Sequence, residues 1–159
     1  MEHDAPTQVG ADADWATLSV KDRTICVIKM NGALFCRGEW SDGTANPSPT
    51  LTRIGGPAVN WKAISVGSEI CGVRGDGTLW CWGNANGSPL GDGNTGIADP
   101  ILGVPSTAVP TQIGTDTDWA SVSTRGFTSC ATKADGSLWC WGFSAAITPQ
   151  IKTVPAAIN

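Results

Sequence analysis

Tyrosine is absent from this 159-residue chain, histidine occurs once, and charged residues make up only 15%. Each shortage removes a class of function. With His3 as the sole imidazole, nucleophile-and-base pairs have no base, and histidine-rich metal sites have no ligands. Ten basic residues against fourteen acidic ones, scattered along the chain, give a net charge of −4 and no footprint for nucleic acid or anionic lipid. No apolar run approaches the roughly 18 residues of a membrane span, so membrane insertion is not expected. The opening MEHDAPTQVG lacks the apolar core of a secretory leader. Phosphate-cradling loops and dinucleotide fingerprints are missing too, and Gly91-DGNTG lacks the ligand spacing of a calcium loop. No cofactor, no metal and no enzymatic activity are expected.

What the chain does contain, it contains three times. A cysteine, nine residues with a tight turn, and a second cysteine recur as Cys26-VIKMNGALF-Cys36, Cys71-GVRGDGTLW-Cys81 and Cys130-ATKADGSLW-Cys140. A tryptophan in a short apolar run precedes each copy: Trp15-ATLSV, Trp61-KAISV and Trp119-ASVS. The copies lie about 45 and 59 residues apart, a period that signals solenoids, propellers or arrays. No helical period of any length competes with short strands broken by Gly and Pro.

The cysteine spacing reads as a hairpin. If Gly75-Asp76-Gly77 form the loop, Arg74 meets Thr78, Val73 meets Leu79, Gly72 meets Trp80, and Cys71 lands opposite Cys81. The same register follows around Met30-Asn31-Gly32 and Ala134-Asp135-Gly136, with glycine at the left-handed position of a three-residue loop. Directly opposed residues on antiparallel strands approach disulfide range. Zinc pairs prefer closer spacing, and buried thiols explain burial but not opposition. Three bridges, Cys26–Cys36, Cys71–Cys81 and Cys130–Cys140, are therefore expected, and with them an extracellular, periplasmic or cell-surface location.

Alternation puts Trp80 and Trp82 on one strand face, Leu79 and Cys81 on the other. Apolar groups on both faces belong in a stack of sheets, with Trp80 and Trp139 between them. Trp82 and Trp141, near strand ends, are candidates for a binding surface together with Trp40 and Arg37, which replaces the tryptophan in the first copy. Each repeat also carries a Pro-led strand: Pro6-TQVG, Pro49-TLTRIGG and Pro110-TQIG. Counted as the opening strand of its repeat, it gives four strands per copy. The ending Thr148-PQIKTVPAAIN then restarts that strand as a thirteenth.

The string Trp119-ASVSTRGFTSCATKADGSLWCWG resembles the repeat of the regulator of chromosome condensation, above all its bacterial secreted forms with paired cysteines. The segment Gly83-NANGSPLGDGNTG is similar to the family's W-G-N-x-x-G-Q-L-G-D-G loop, with one residue more. The resemblance covers nearly the whole chain. It implies an all-β propeller of four-stranded antiparallel blades: about 5–46, 47–108 and 109–147, with an extra strand over 148–159, all in one repeat domain. The family closes its rings with more blades than three.

Two functions follow as expectations. The first is a non-catalytic secreted or surface protein that self-associates through exposed blade ends, as a six-blade dimer or an open head-to-tail assembly. Pro6, Val9, Pro149 and Ile151 are its candidate clasp, since both Pro-led ends compete for one strand position. The alternative is a protein- or carbohydrate-binding module using loops on one face; the resemblance includes an inhibitor of β-lactamase and a nucleotide exchange factor.

Overall fold

The structure is a computed structural model of the chain and describes residues 5–39, 48–83, 90–93, 107–142 and 152–158. Twelve strands and no helix occur among them. They are β1 (Trp15–Lys21), β2 (Thr24–Lys29), β3 (Leu34–Gly38), β4 (Ser48–Ile54), β5 (Trp61–Val66), β6 (Glu69–Arg74), β7 (Leu79–Gly83), β8 (Thr107–Gln112), β9 (Trp119–Arg125), β10 (Thr128–Lys133), β11 (Leu138–Gly142) and β12 (Lys152–Ala157). They form three four-stranded antiparallel sheets in the orders β1-β2-β3-β4, β5-β6-β7-β8 and β9-β10-β11-β12. Each sheet is a meander, so chain neighbours are sheet neighbours.

The cysteine hairpins adopt the expected register. Cys26 faces Cys36, Cys71 faces Cys81 and Cys130 faces Cys140, and all three pairs are disulfide-bonded. The loop is closed by Gly32, Gly77 and Gly136 at φ of 79°, 80° and 85°, a conformation that costs glycine little. The preceding residue locks the turn: Asp76 Oδ1 accepts the Thr78 N–H at 3.1 Å, and Asp135 Oδ1 accepts that of Ser137 at 2.8 Å.

The Pro-led strands close sheets rather than open them. Residues 48–54 pair with the preceding hairpin arm, Leu34 opposite Ile54 and Cys36 opposite Thr52, and β8 does the same for β7. The sheets therefore run 15–54, 61–112 and 119–157, one strand out of phase with blades at 5–46, 47–108 and 109–147. The reason is tertiary. The short stretch 55–60 carries the chain across to the next sheet, where the Trp61 N–H meets the Gly32 carbonyl at 2.8 Å. The C-terminal strand is accordingly the fourth strand of the third sheet, and the Ile158 N–H donates to the Leu138 carbonyl at 2.8 Å. Pro6 and Val9 lie exposed and outside every strand. All three closing strands are sheet edges and carry a proline: Pro49, Pro110 and Pro155.

Two apolar cores lie between the sheets. In the first, Cys26, Ile28, Leu34, Cys36 and Ile54 meet Trp61, Ile64, Val66, Ile70 and Trp82. In the second, Cys71, Val73, Leu79, Cys81 and Ile113 meet Trp119, Ala131 and Trp141, with Leu90 added. Each sheet thus turns its disulfide face to the tryptophan face of the next.

Candidate functional site

Trp82 and Trp141 are wholly buried, so neither is part of a binding surface. Both indoles fill the cores between sheets; at Trp141 a Cβ on Gly91 would touch the ring nitrogen at 3.0 Å. Trp80 and Trp139, expected between the sheets, pack there against the two cores and are partly buried. Their Nε1–H groups donate to Thr78 Oγ1 at 2.7 Å and Ser137 Oγ at 2.9 Å, which ties each ring to the hairpin turn. Alternation assigns both tryptophans to one face correctly; it does not say which end of that face the next sheet covers. Trp40, Pro149 and Ile151 lie outside the described residues.

What remains as a site is the pair of outward faces of the stack. On the first sheet, Trp15, Leu18, Val20, Ile25 and Val27 line an open cleft of about 370 Å³ together with Arg37, Gln8, Val9 and Asp12. Trp15, Leu18, Val20, Ile25 and Arg37 stand where Trp61, Ile64, Val66, Ile70 and Trp82 stand in the second sheet, and those five are all buried. Leu18 is 67% exposed and Val20 54%. On the third sheet, Leu138 is 41% exposed, whereas its counterparts Leu34 and Leu79 show no surface. An apolar surface of this kind marks an interaction site.

The rim of the first face is charged and ordered. Lys29 Nζ lies 2.9 Å from both Asp12 and Asp14 and 4.8 Å above the Trp15 ring. Lys133 repeats the arrangement with Asp116 at 2.7 Å, Asp118 at 3.1 Å and the rings of Trp119 and Trp139 about 5 Å away. Hydrogen bonds to these carboxylates raise both lysines above their ordinary value, that from Asp12 leading for Lys29 and that from Asp116 for Lys133. In the second sheet Arg74 takes the place, 3.5 Å from the Trp80 ring centre, and burial lowers its pKa. Lys29 and Lys133 pin the linker before the tryptophan strand onto the hairpin, whereas Arg74 stacks on the Trp61 and Trp80 rings. Sequence reasoning missed the motif, although Asp-x-Asp-Trp followed by a basic residue at the hairpin end carries its signal.

Among the described residues no group of three or more His, Cys, Asp or Glu is placed to hold a metal ion. Glu69 is fully buried, and Ser129 of the third sheet donates its hydroxyl to Glu69 Oε1. That pair joins two sheets.

No protein-family model matches the sequence, and comparison with curated proteins gives no match. Solved structures do match. Human WBSCR16 superposes with a TM-score of 0.73 at 18% identity over 94% of this chain. Yeast RCC1 (Prp20) bound to Kap60 gives 0.74 at 16% over 92%. The structure of Prp20p from Saccharomyces cerevisiae, described with its binding to Gsp1p and histones, gives 0.75 at 15% over 92%. This chain spans 37 to 39% of the length of these proteins. Its three sheets are blades of the RCC1-type β-propeller fold.

Proposed function

We propose that this chain is a non-catalytic, secreted or cell-surface propeller segment that associates with itself through its blade ends into a larger propeller or assembly. One observation carries it. The surface open on the first blade and the surface open on the third are the two halves that bury each other at both internal junctions. Soluble chains seldom leave apolar faces of this kind uncovered. The three disulfides support an oxidising compartment. The solved Prp20 structures, titled for Kap60, Gsp1p and histones, support proteins as the partner class for blades of this fold. A binding module that holds a protein or glycan on its loops loses two of its four candidate contacts, because Trp82 and Trp141 are buried.

The test is sedimentation of the oxidised 159-residue chain over a wide concentration range. Mass above the monomer that rises with concentration is expected. A folded monomer throughout, with its disulfides intact, overturns the proposal.

A further inference from the structure

The two junctions inside the chain define what its ends are shaped to meet. At each, the N–H of the tryptophan opening a blade donates to the turn glycine of the blade before: Trp61 to Gly32 at 2.8 Å, Trp119 to Gly77 at 3.0 Å. Five residues on, a second N–H crosses the junction. Val66 donates to Ser19 Oγ and Thr124 to Ser65 Oγ, both at 2.9 Å. Between these two tethers, Leu34 and Ile54 pack with Trp61 and Ile64, and Leu79 and Ile113 pack with Trp119 and Val122.

Every one of these positions recurs at an end of the stack. Gly136, Ser123, Leu138 and Ile158 stand on the third blade as Gly77, Ser65, Leu79 and Ile113 stand on the second. Trp15, Leu18 and Val20 stand on the first blade as Trp61, Ile64 and Val66 do on the second. The notch beside the turn glycine shows what is missing. A Cβ on Gly32 would collide with Asn60 at 1.9 Å and one on Gly77 with the Thr117 carbonyl at 2.0 Å. Around Gly136 there is nothing within 4 Å. The linker that fills the notch twice leaves it open the third time.

The third blade's face is also more polar than its two internal counterparts. Thr132 replaces Ile28 and Val73, but its hydroxyl lies 2.7 Å from that of Ser121. Each hydroxyl of this pair keeps the other as a hydrogen-bond partner when the face is covered.

We propose that the outer face of the third blade receives the first blade of a second copy of this chain, head to tail, in the register of the internal junctions. The Trp15 N–H then donates to the Gly136 carbonyl, the Val20 N–H donates to Ser123 Oγ, and Leu18 covers Leu138 and Ile158. This rests on the self-association proposed above and adds its polarity and register. The contact is heterologous, joining two unlike surfaces, so a joined pair keeps one of each for further contact. A face-to-face pair of first blades is disfavoured. It brings two Arg37 guanidinium groups onto one apolar surface, where the head-to-tail contact covers one, and leaves the acceptors of the third blade unused.

The test uses two variants of the oxidised chain, Leu18→Glu and Leu138→Glu, each at an exposed position that a folded monomer tolerates; near-UV dichroism and melting check the fold. Where a glutamate variant does not fold, Leu18→Gln and Leu138→Gln replace it. Sedimentation velocity should find wild type associated and each variant alone monomeric. An equimolar mixture should form a one-to-one dimer and nothing larger, because one intact tail meets one intact head. Ser123→Ala should weaken wild-type association roughly fivefold to tenfold. Wild type that stays monomeric overturns self-association itself. Wild type that associates while Leu138→Glu associates equally well overturns the head-to-tail register alone. A mixture that remains monomeric while wild type associates overturns it as well.

Discussion

Ser129 donates its hydroxyl to Glu69 Oε1 across the second junction, and neither side chain has any exposed surface. A buried polar pair of this kind is costly to halve. Glu69→Ala and Ser129→Ala are each expected to lower stability by roughly 1–3 kcal/mol, since each leaves its partner with a lost hydrogen bond. The double variant Glu69→Ala/Ser129→Ala should lose less than the two single losses combined. Urea melts of the full cycle read the coupling, and strict additivity would show that the pair contributes nothing.

Trp82 is a core residue, and its substitution should behave as one. Trp82→Ala is expected to cost roughly 3–5 kcal/mol, the usual range for emptying an aromatic site. Trp82→Phe should cost clearly less, because the Trp82 indole N–H has no acceptor among the described residues and phenylalanine removes it. Chemical denaturation checks both. Near-equal losses would show that the site needs the indole itself and that a smaller ring recovers nothing.

Each disulfide closes a loop with a sequence separation of 10. The chain-entropy model assigns a loop of that size roughly 2.6 kcal/mol. Cys71→Ala/Cys81→Ala should therefore lower stability by about that amount or more, since both sulfurs are buried. Intact mass before and after reduction should differ by two hydrogens per bridge. A shift for fewer than three bridges would contradict the pairing described.

The hydrogen bonds that Asp76 Oδ1 receives from the Thr78 hydroxyl at 2.6 Å and from its N–H hold the carboxyl below its ordinary value of 3.8. A folded-state pKa below the unfolded one stabilises above the unfolded value, and that contribution is lost as pH falls through the folded one. Wild type should therefore exceed Asp76→Asn in stability by a constant margin at neutral pH, and the margin should shrink in acid below the ordinary carboxylate range. Thermal melts from neutral to strongly acid pH measure it. A margin that grows in acid has the wrong sign.

The hairpin register was legible because three copies place two cysteines in opposition, and period-two alternation leaves one way to do that. Cys26–Cys36, Cys71–Cys81 and Cys130–Cys140 all follow from it. The phase of the blades was not legible. Pro49-TLTRI has the same local pattern whether it pairs forward or back, and only the crossing at 55–60 decides. Burial of Trp82 and Trp141 was hidden for a related reason. Position near a strand end says nothing about whether the neighbouring sheet extends over it. The end faces were foreseen as exposed apolar surface. Their detail, Ser123 and Gly136 as acceptors above all, emerges only when equivalent positions are compared in three dimensions.

The prolines on the closing strands limit how these blades can grow. Pro49, Pro110 and Pro155 each remove a donor from an outer sheet edge, where a foreign strand would otherwise pair. Lateral β-addition is thereby discouraged on all three blades, while the broad faces stay open. Self-association of the kind proposed would then add blade upon blade and not widen a sheet.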